Sequence, residues 1–156
     1  MPATRDLEIA VDSEPASIRV PLSRAELERL VAYVLRSEGV HRAFLSIALV
    51  DRRGIARLNR TYLGRRGATD VIAFSLRSPT KEPRVVGDVY IAPEVVRANA
   101  RGRGVPVREE LARVLVHGVL HVLGYDHPEG VGREDSPMWR RQEELLAASG
   151  RLLTRR

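Results

Sequence analysis

The 156-residue chain contains no cysteine and, among its 26 basic residues, a single lysine, Lys81. Without cysteine there is no disulfide framework, no thiolate-bound metal and no thiol nucleophile, so any metal must be held by His, Asp or Glu. Aromatic residues make up 4% of the chain, too few for the stacking platforms of dedicated single-strand binders, and Trp139 and Tyr125 are accordingly read as packing residues. No run approaches the ~20 apolar residues of a membrane span, and the amino-terminal stretch MPATRDLEIAVDSEP has no apolar segment after a basic start. The expectation is a cytoplasmic protein with no membrane partner.

What is present fits an ordinary folded protein. With 44% hydrophobic and 29% charged residues, the chain has the apolar content to build a core, and its length suits one domain over residues 1–156 that buries roughly 70% of the unfolded surface. The formal net charge of +6 favours polyanionic partners such as nucleic acid. The near-total preference for arginine over lysine is also what a biased coding composition produces, so charge alone does not choose the ligand.

Hydrophobic spacing predicts the elements. Leu7 to Val11 reads as a strand, with a second short extended piece at Ile18 to Val20. Ser23 and Glu26 form a capping-box pair ahead of a helix that carries Leu27, Leu30, Val31, Val34 and Leu35 up to Gly39. Phe44 to Val50 is a buried strand, and Asp51 caps a helix with Ile55, Leu58 and Tyr62 on one face, broken at Gly64 and Gly67. Thr69 to Leu76 and Gly87 to Ala92 read as a hairpin joined through Ser78 to Arg84. Pro93 starts a helix to about Ala100, and Arg101 to Gly104 is a glycine-broken connector. Pro106 opens a helix whose body, LARVLVHGVLHVL, is apolar nearly all round and so belongs at the centre, with Gly124 as the left-handed residue that ends it. Pro137 to Ala148 forms a last amphipathic helix before a basic tail. Strands interspersed with helices and one hairpin give the expected class: a compact α+β domain, with a mixed sheet of about four strands, helices packed on it and a central metal-binding helix.

Three of the four histidines fall within eleven residues. His117 and His121, four apart on one helix, differ by about 40° in direction and one turn in height, so both imidazoles can point at one ion. His127 follows six residues later, and Gly124 lets the chain leave the helix and fold back to bring a third imidazole to the site. One histidine in an apolar helix is usually a hydrogen-bonded core residue. Unpaired imidazoles in a segment nearly free of polar atoms would each cost on the order of 1 to 3 kcal/mol, and a shared metal satisfies all three. Three nitrogen ligands without cysteine suit one Zn²⁺ per chain, with Ni, Co or Mn able to substitute, and leave a coordination position open, where bound water has a pKa of about 7. The spacing also matches the metzincin protease pattern, with Met138 downstream, but Gly118 stands where those proteases need a glutamate general base. His41 lies outside the triad.

The string His117-Gly-Val-Leu-His121-Val-Leu-Gly-Tyr-Asp-His127 closely resembles the H-G-x-L-H-L-x-G-Y-D-H signature of the YbeY family, bacterial rRNA maturation endoribonucleases. Leu58-Asn59 with Tyr62, Thr69-Asp70-Val71-Ile72 with Phe74, and Gly87-Asp88-Val89 follow the family order, so the resemblance covers about residues 45 to 146. It implies zinc-dependent, single-strand-specific RNA cleavage, used in trimming the 3′ end of small-subunit rRNA and in ribosome quality control. The implied partners are single-stranded RNA or rRNA, the small ribosomal subunit and a ribosome-associated GTPase. The three histidines carry over as ligands. Asp126, and with similar status Asp70 and Asp88, read either as acceptors orienting an imidazole or as turn residues. Many members have an arginine directly after the tyrosine; here Leu63 stands there, and Ala73 and Ser75 replace a frequent serine and proline. Arg65 or Arg66, just beyond, can offer a guanidinium to phosphate, or be solvated loop charges. Two alternatives stand beside this expectation: a non-catalytic ribosome-assembly factor with structural zinc, and a metal-dependent hydrolase of a non-RNA substrate.

Overall fold

A computed structural model describes residues 6–153. The chain runs β1 (Asp6–Glu14), α1 (Arg24–Ser37), β2 (Arg42–Val50), α2 (Arg52–Leu63), β3 (Val71–Leu76), β4 (Val85–Ile91), α3 (Pro93–Arg103), α4 (Val107–Val122) and α5 (Pro137–Ala148), and closes with a 3-10 turn at Gly150–Leu153. The strands form one sheet in the order β1-β2-β4-β3. β1 and β4 run parallel to the central β2, while β3 returns antiparallel to β4 as the expected hairpin, so the sheet is mixed.

Alternation along the strands separates two cores. Ala43, Leu45, Ile47 and Leu49 of β2, with Val89 and Ile91 of β4, join the larger one, shared with α1 and α4. Ala48 and Tyr90 from the opposite face, with Val50, Ile72 and Ala92, meet Ile55 of α2 in a smaller core. The first helix begins at the predicted cap: the Ser23 hydroxyl accepts from the Glu26 N–H, and Glu26 Oε1 accepts from the Ser23 N–H, both at 3.1 Å. Asp51 caps α2 by accepting from Gly54 N–H at 2.7 Å. Tyr62, at the far end of that helix, is 65% exposed and rests edge-on against Phe74.

Two expectations are corrected. Ile18 to Val20 is not a strand. Prolines bracket the segment at Pro15 and Pro21, the Ile18 N–H turns back to the Pro15 carbonyl at 3.2 Å, and arginine side chains take neighbouring carbonyls: Arg97 Nη2 donates to that of Arg19 at 2.6 Å and Arg108 Nη1 to that of Pro21 at 2.7 Å. Residues 101–103 are not a connector either. α3 continues through Gly102, which an interior turn tolerates at a modest cost, and ends where Gly104 turns left-handed at φ 69°. The basic tail beyond Leu153 lies outside the described residues.

α4 is the centre of the molecule. Every residue from Glu110 to Leu120 is buried, which a helix apolar all round requires. Two glycines set how closely it lies on the sheet. A Cβ on Gly118 would come within 2.6 Å of Val89 Cγ1, and one on Gly87 of β4 within 2.4 Å of Val122 Cγ1. The residue missing as a protease base is thus a packing glycine. α4 stops in a Schellman cap: Tyr125 N–H donates to the Leu120 carbonyl and Gly124 N–H to that of His121, both at 3.0 Å, with Gly124 at φ 99°. Among the described residues no helix is long and apolar enough to cross a membrane.

Candidate metal centre

His117 and His121 leave α4 on one face, and the cap turns the chain so that His127 returns to them. Their Nε2 atoms form a triangle with sides of 3.1 Å (His117 to His121), 3.2 Å (His117 to His127) and 3.3 Å (His121 to His127). Each opposite nitrogen meets an oxygen. Nδ1 of His117 lies 2.6 Å from Gln142 Oε1, that of His121 3.0 Å from the Tyr125 carbonyl, and that of His127 3.0 Å from the Pro128 carbonyl. The Gln142 amide is oriented by its own Nε2, which donates to Glu143 Oε2 at 3.1 Å. All three partners are acceptors, so each Nδ1 carries the proton and each Nε2 is bare.

Three lone pairs therefore converge on one point, where none can donate to another. Burial pushes the His117 pKa down to about 4, against the Gln142 hydrogen bond and helped by the neighbouring imidazoles and Arg133. His121 is also lowered, by burial and then by the His127 ring. His117 and His121 are thereby held toward the neutral form a metal needs, and the triad could hold a metal ion. The Tyr125 carbonyl, an acceptor for His121, is placed by the same helix cap that ends α4, so one turn both stops the helix and aims an imidazole.

Behind His117 the polar chain continues inward. Gln142 is fully buried on α5 and leads through Glu143 to Arg113, whose Nε donates to both Glu143 oxygens at 3.1 and 3.2 Å. Arg113 Nη1 also meets Glu110 at 3.2 Å and its Nη2 meets Glu109 at 3.4 Å. Burial opposes the Arg113 charge, but Glu143, Glu110 and Glu109 outweigh it and raise its pKa. Beside His117 opens a cavity of about 380 Å³ walled by Asp70, Asn99, Arg103, Arg133, Trp139 and Gln142.

The other residues singled out from the sequence are placed as follows. Asp126 Oδ1 accepts from the His127 N–H at 2.8 Å, shaping the turn rather than receiving an imidazole proton. Asp70 lines the cavity and accepts from Asn99 Nδ2 at 3.4 Å. Asp88 lies between Gly87 and Val89, which face α4, and so projects to the other side of the sheet. Arg65 pairs with Glu129 at 2.6 Å, two residues past His127. Arg66 lines a separate cleft against α2. Gln142 and Arg133 escaped the sequence reading. Gln142 had a signal, since it interrupts the buried stripe Met138, Gln142, Leu145 at positions i, i+4 and i+7. Arg133 sits in a glycine-flanked loop with no periodicity to mark it.

Comparison with known proteins decides the family. A family model described as Endoribonuclease YbeY matches residues 8–150. This chain belongs to the YbeY family. The YbeY protein of Roseiflexus castenholzii is 39% identical over 153 residues, covering 93% of this chain and 96% of its own, and that of Thermobifida fusca is 37% identical over 142 residues, covering 86% and 90%. Both are called endoribonuclease YbeY. The solution structure of a Thermotoga maritima protein superposes with a TM-score of 0.57 at 25% identity, covering 88% of this chain and 86% of that one.

Proposed function

We propose that this YbeY chain is a zinc-dependent endoribonuclease that cuts single-stranded RNA, acting in the cytoplasm on the 3′ end of small-subunit rRNA and in ribosome quality control. The observation that carries the reading is the triangle of three bare Nε2 atoms. Nitrogen ligands about 2.0 to 2.1 Å from a tetrahedral zinc stand about 3.3 Å apart, and the sides of 3.1 to 3.3 Å fit that spacing. The donor set of His117, His121 and His127, without thiolate, suits Zn²⁺. Among the described residues the cluster holds three ligands and no fourth, which favours an open catalytic position over the closed set of a structural zinc. When bound, the ion supplies Lewis acidity toward a phosphoryl oxygen.

The chain's own groups supply the rest. Gln142 and the carbonyls of Tyr125 and Pro128 hold the imidazoles in tautomer and direction. Arg133, at the cavity wall, offers a planar guanidinium that suits a phosphodiester oxygen. Gly118 offers no group to move a proton, which disfavours peptide hydrolysis of the metzincin kind. rRNA, the small ribosomal subunit and a ribosome-associated GTPase are the partners this reading implies.

The test is elemental analysis of protein purified without chelator, with cleavage of single-stranded RNA by the wild type, His117→Ala and His121→Ala. We expect one zinc per chain, and loss of zinc and at least a hundredfold loss of cleavage in both variants. Stoichiometric zinc with no cleavage by folded wild type would instead support the assembly-factor reading.

A further inference from the structure

α2 reads RRGIARLNRTYL and contains no acidic residue. Arg53, Arg57 and Arg60 recur at i, i+4 and i+7, on one face of the helix. The loop after it is folded back onto that face. Gly64 turns left-handed at φ 62°, the Arg65 N–H donates to the Asn59 carbonyl at 3.2 Å, and the buried Asn59 side chain donates to the Gly67 carbonyl at 3.0 Å. These bonds bring Arg66 beside the three helical arginines, and together with Thr61 and Gly67 they line an open cleft of about 800 Å³. Among the described residues none of the four makes an ion pair or a side-chain hydrogen bond, whereas Arg103, Arg108, Arg113 and Arg141 are all paired with carboxylates.

Placing like charges at helical spacing, with Arg53 near the positive end of the helix dipole, works against α2. A polyanion in the cleft would turn that repulsion into attraction. The adjoining loop ties the cleft to the metal centre: Arg65, adjacent to Arg66 in the chain, reaches the other way to Glu129 beside His127. From Arg53 to Arg60 the helix rises roughly 10 Å, the length of about three stacked nucleotides at ~3.4 Å each.

We propose that this cleft is a second anion site, which grips the phosphodiester backbone of single-stranded RNA away from the cut and feeds it to the metal centre. The inference rests on the endoribonuclease reading. The cleft determines how strongly a long RNA is held and leaves the chemical step alone.

The test is rapid-mixing anisotropy, read before cleavage, of a single-stranded RNA of about twenty nucleotides at several salt concentrations, beside cleavage of an RNA of about five nucleotides. It compares the wild type, R53Q/R57Q/R60Q, and a charge-matched control with Arg29, Arg36 and Arg140 changed to Gln. We expect the cleft variant to bind the long RNA at least about tenfold more weakly, with a log–log salt slope shallower by about 0.7 per lost contact, and to cut the short RNA at the wild-type rate. The control should bind the long RNA within about threefold of the wild type, because distant charges are screened. Unchanged affinity and slope in the cleft variant, an equal loss in the control, or an equal loss on the short RNA would each overturn the proposal. Affinity of the cleft for anionic vesicles with none for RNA would overturn it in favour of a lipid surface. A wild type that holds its metal yet neither binds nor cuts RNA would instead fail the endoribonuclease reading itself.

Discussion

α4 and α2 lie against opposite faces of the sheet and carry their arginines in opposite ways. On α4, Arg113 is 8% exposed and its guanidinium meets Glu109, Glu110 and Glu143. On α2, Arg53, Arg57 and Arg60 point into water without a carboxylate between them. A buried cation needs every hydrogen placed, and its partners then become fixed points from which other groups can be aimed, as Glu143 aims Gln142 and Gln142 aims His117. An exposed cluster fixes nothing and adds field strength over a wide area. Charge organised for geometry sits behind the metal site, and charge organised for attraction lies to one side of it.

The comparison breaks most visibly at the arginines themselves. Arg113→Met should cost about 3 kcal/mol in denaturant unfolding, because it strands the carboxylate of Glu110 in the interior with only Arg103 beside it. Arg57→Met should stay within about 0.5 kcal/mol. Equal costs would mean that the α4 network contributes no more than a surface charge.

A change of pH should sharpen the same contrast. His117 has a folded pKa of about 4 against an ordinary 6.5, so between those values the unfolded chain binds more protons and stability rises with pH. Metal-free protein should therefore be at full strength above about pH 6.5 and lose about 2 kcal/mol by pH 5, with His121 adding in the same direction. H117Q should flatten most of the dependence in thermal melts with chelator present. The smallest effect belongs to the link between network and ligand. Gln142→Leu keeps the volume but removes the acceptor for the His117 Nδ1 proton, and metal affinity by competition titration should fall about tenfold, or about 1.4 kcal/mol. Unchanged affinity would show that packing alone holds the ring.

The difference between the helices also explains what the sequence disclosed. His117 and His121 were legible because polar residues at i and i+4 stand out in an apolar helix, and Gly124 announced the turn that returns His127. The strands, the hairpin and five helices followed from spacing and capping residues such as Ser23 and Asp51. Ile18 to Val20 misled because three alternating residues look like a strand wherever their backbone hydrogen bonds go; here the Ile18 N–H turns back to Pro15 and the Arg19 carbonyl is taken by Arg97, nearly eighty positions away. The Gln142–Glu143–Arg113 chain joins two helices through side chains, and no local pattern records such a meeting. Arg65 and Arg66 are neighbours with the same composition around them. Only the fold of their loop shows one turned toward the metal centre and the other toward α2.

The close approach of Gly118 to Val89 has a bearing on how the three imidazoles are held. His117 and His121 ride on a helix wedged against the sheet, and any slide or roll of α4 drives its backbone into the Val89 side chain. His127 rides on a segment held by turns, beyond the end of that helix. The three imidazoles thus differ in tether: two ride on the wedged helix, and one is held by local turn contacts beyond its end. His127 is therefore the imidazole whose position the packing of α4 constrains least.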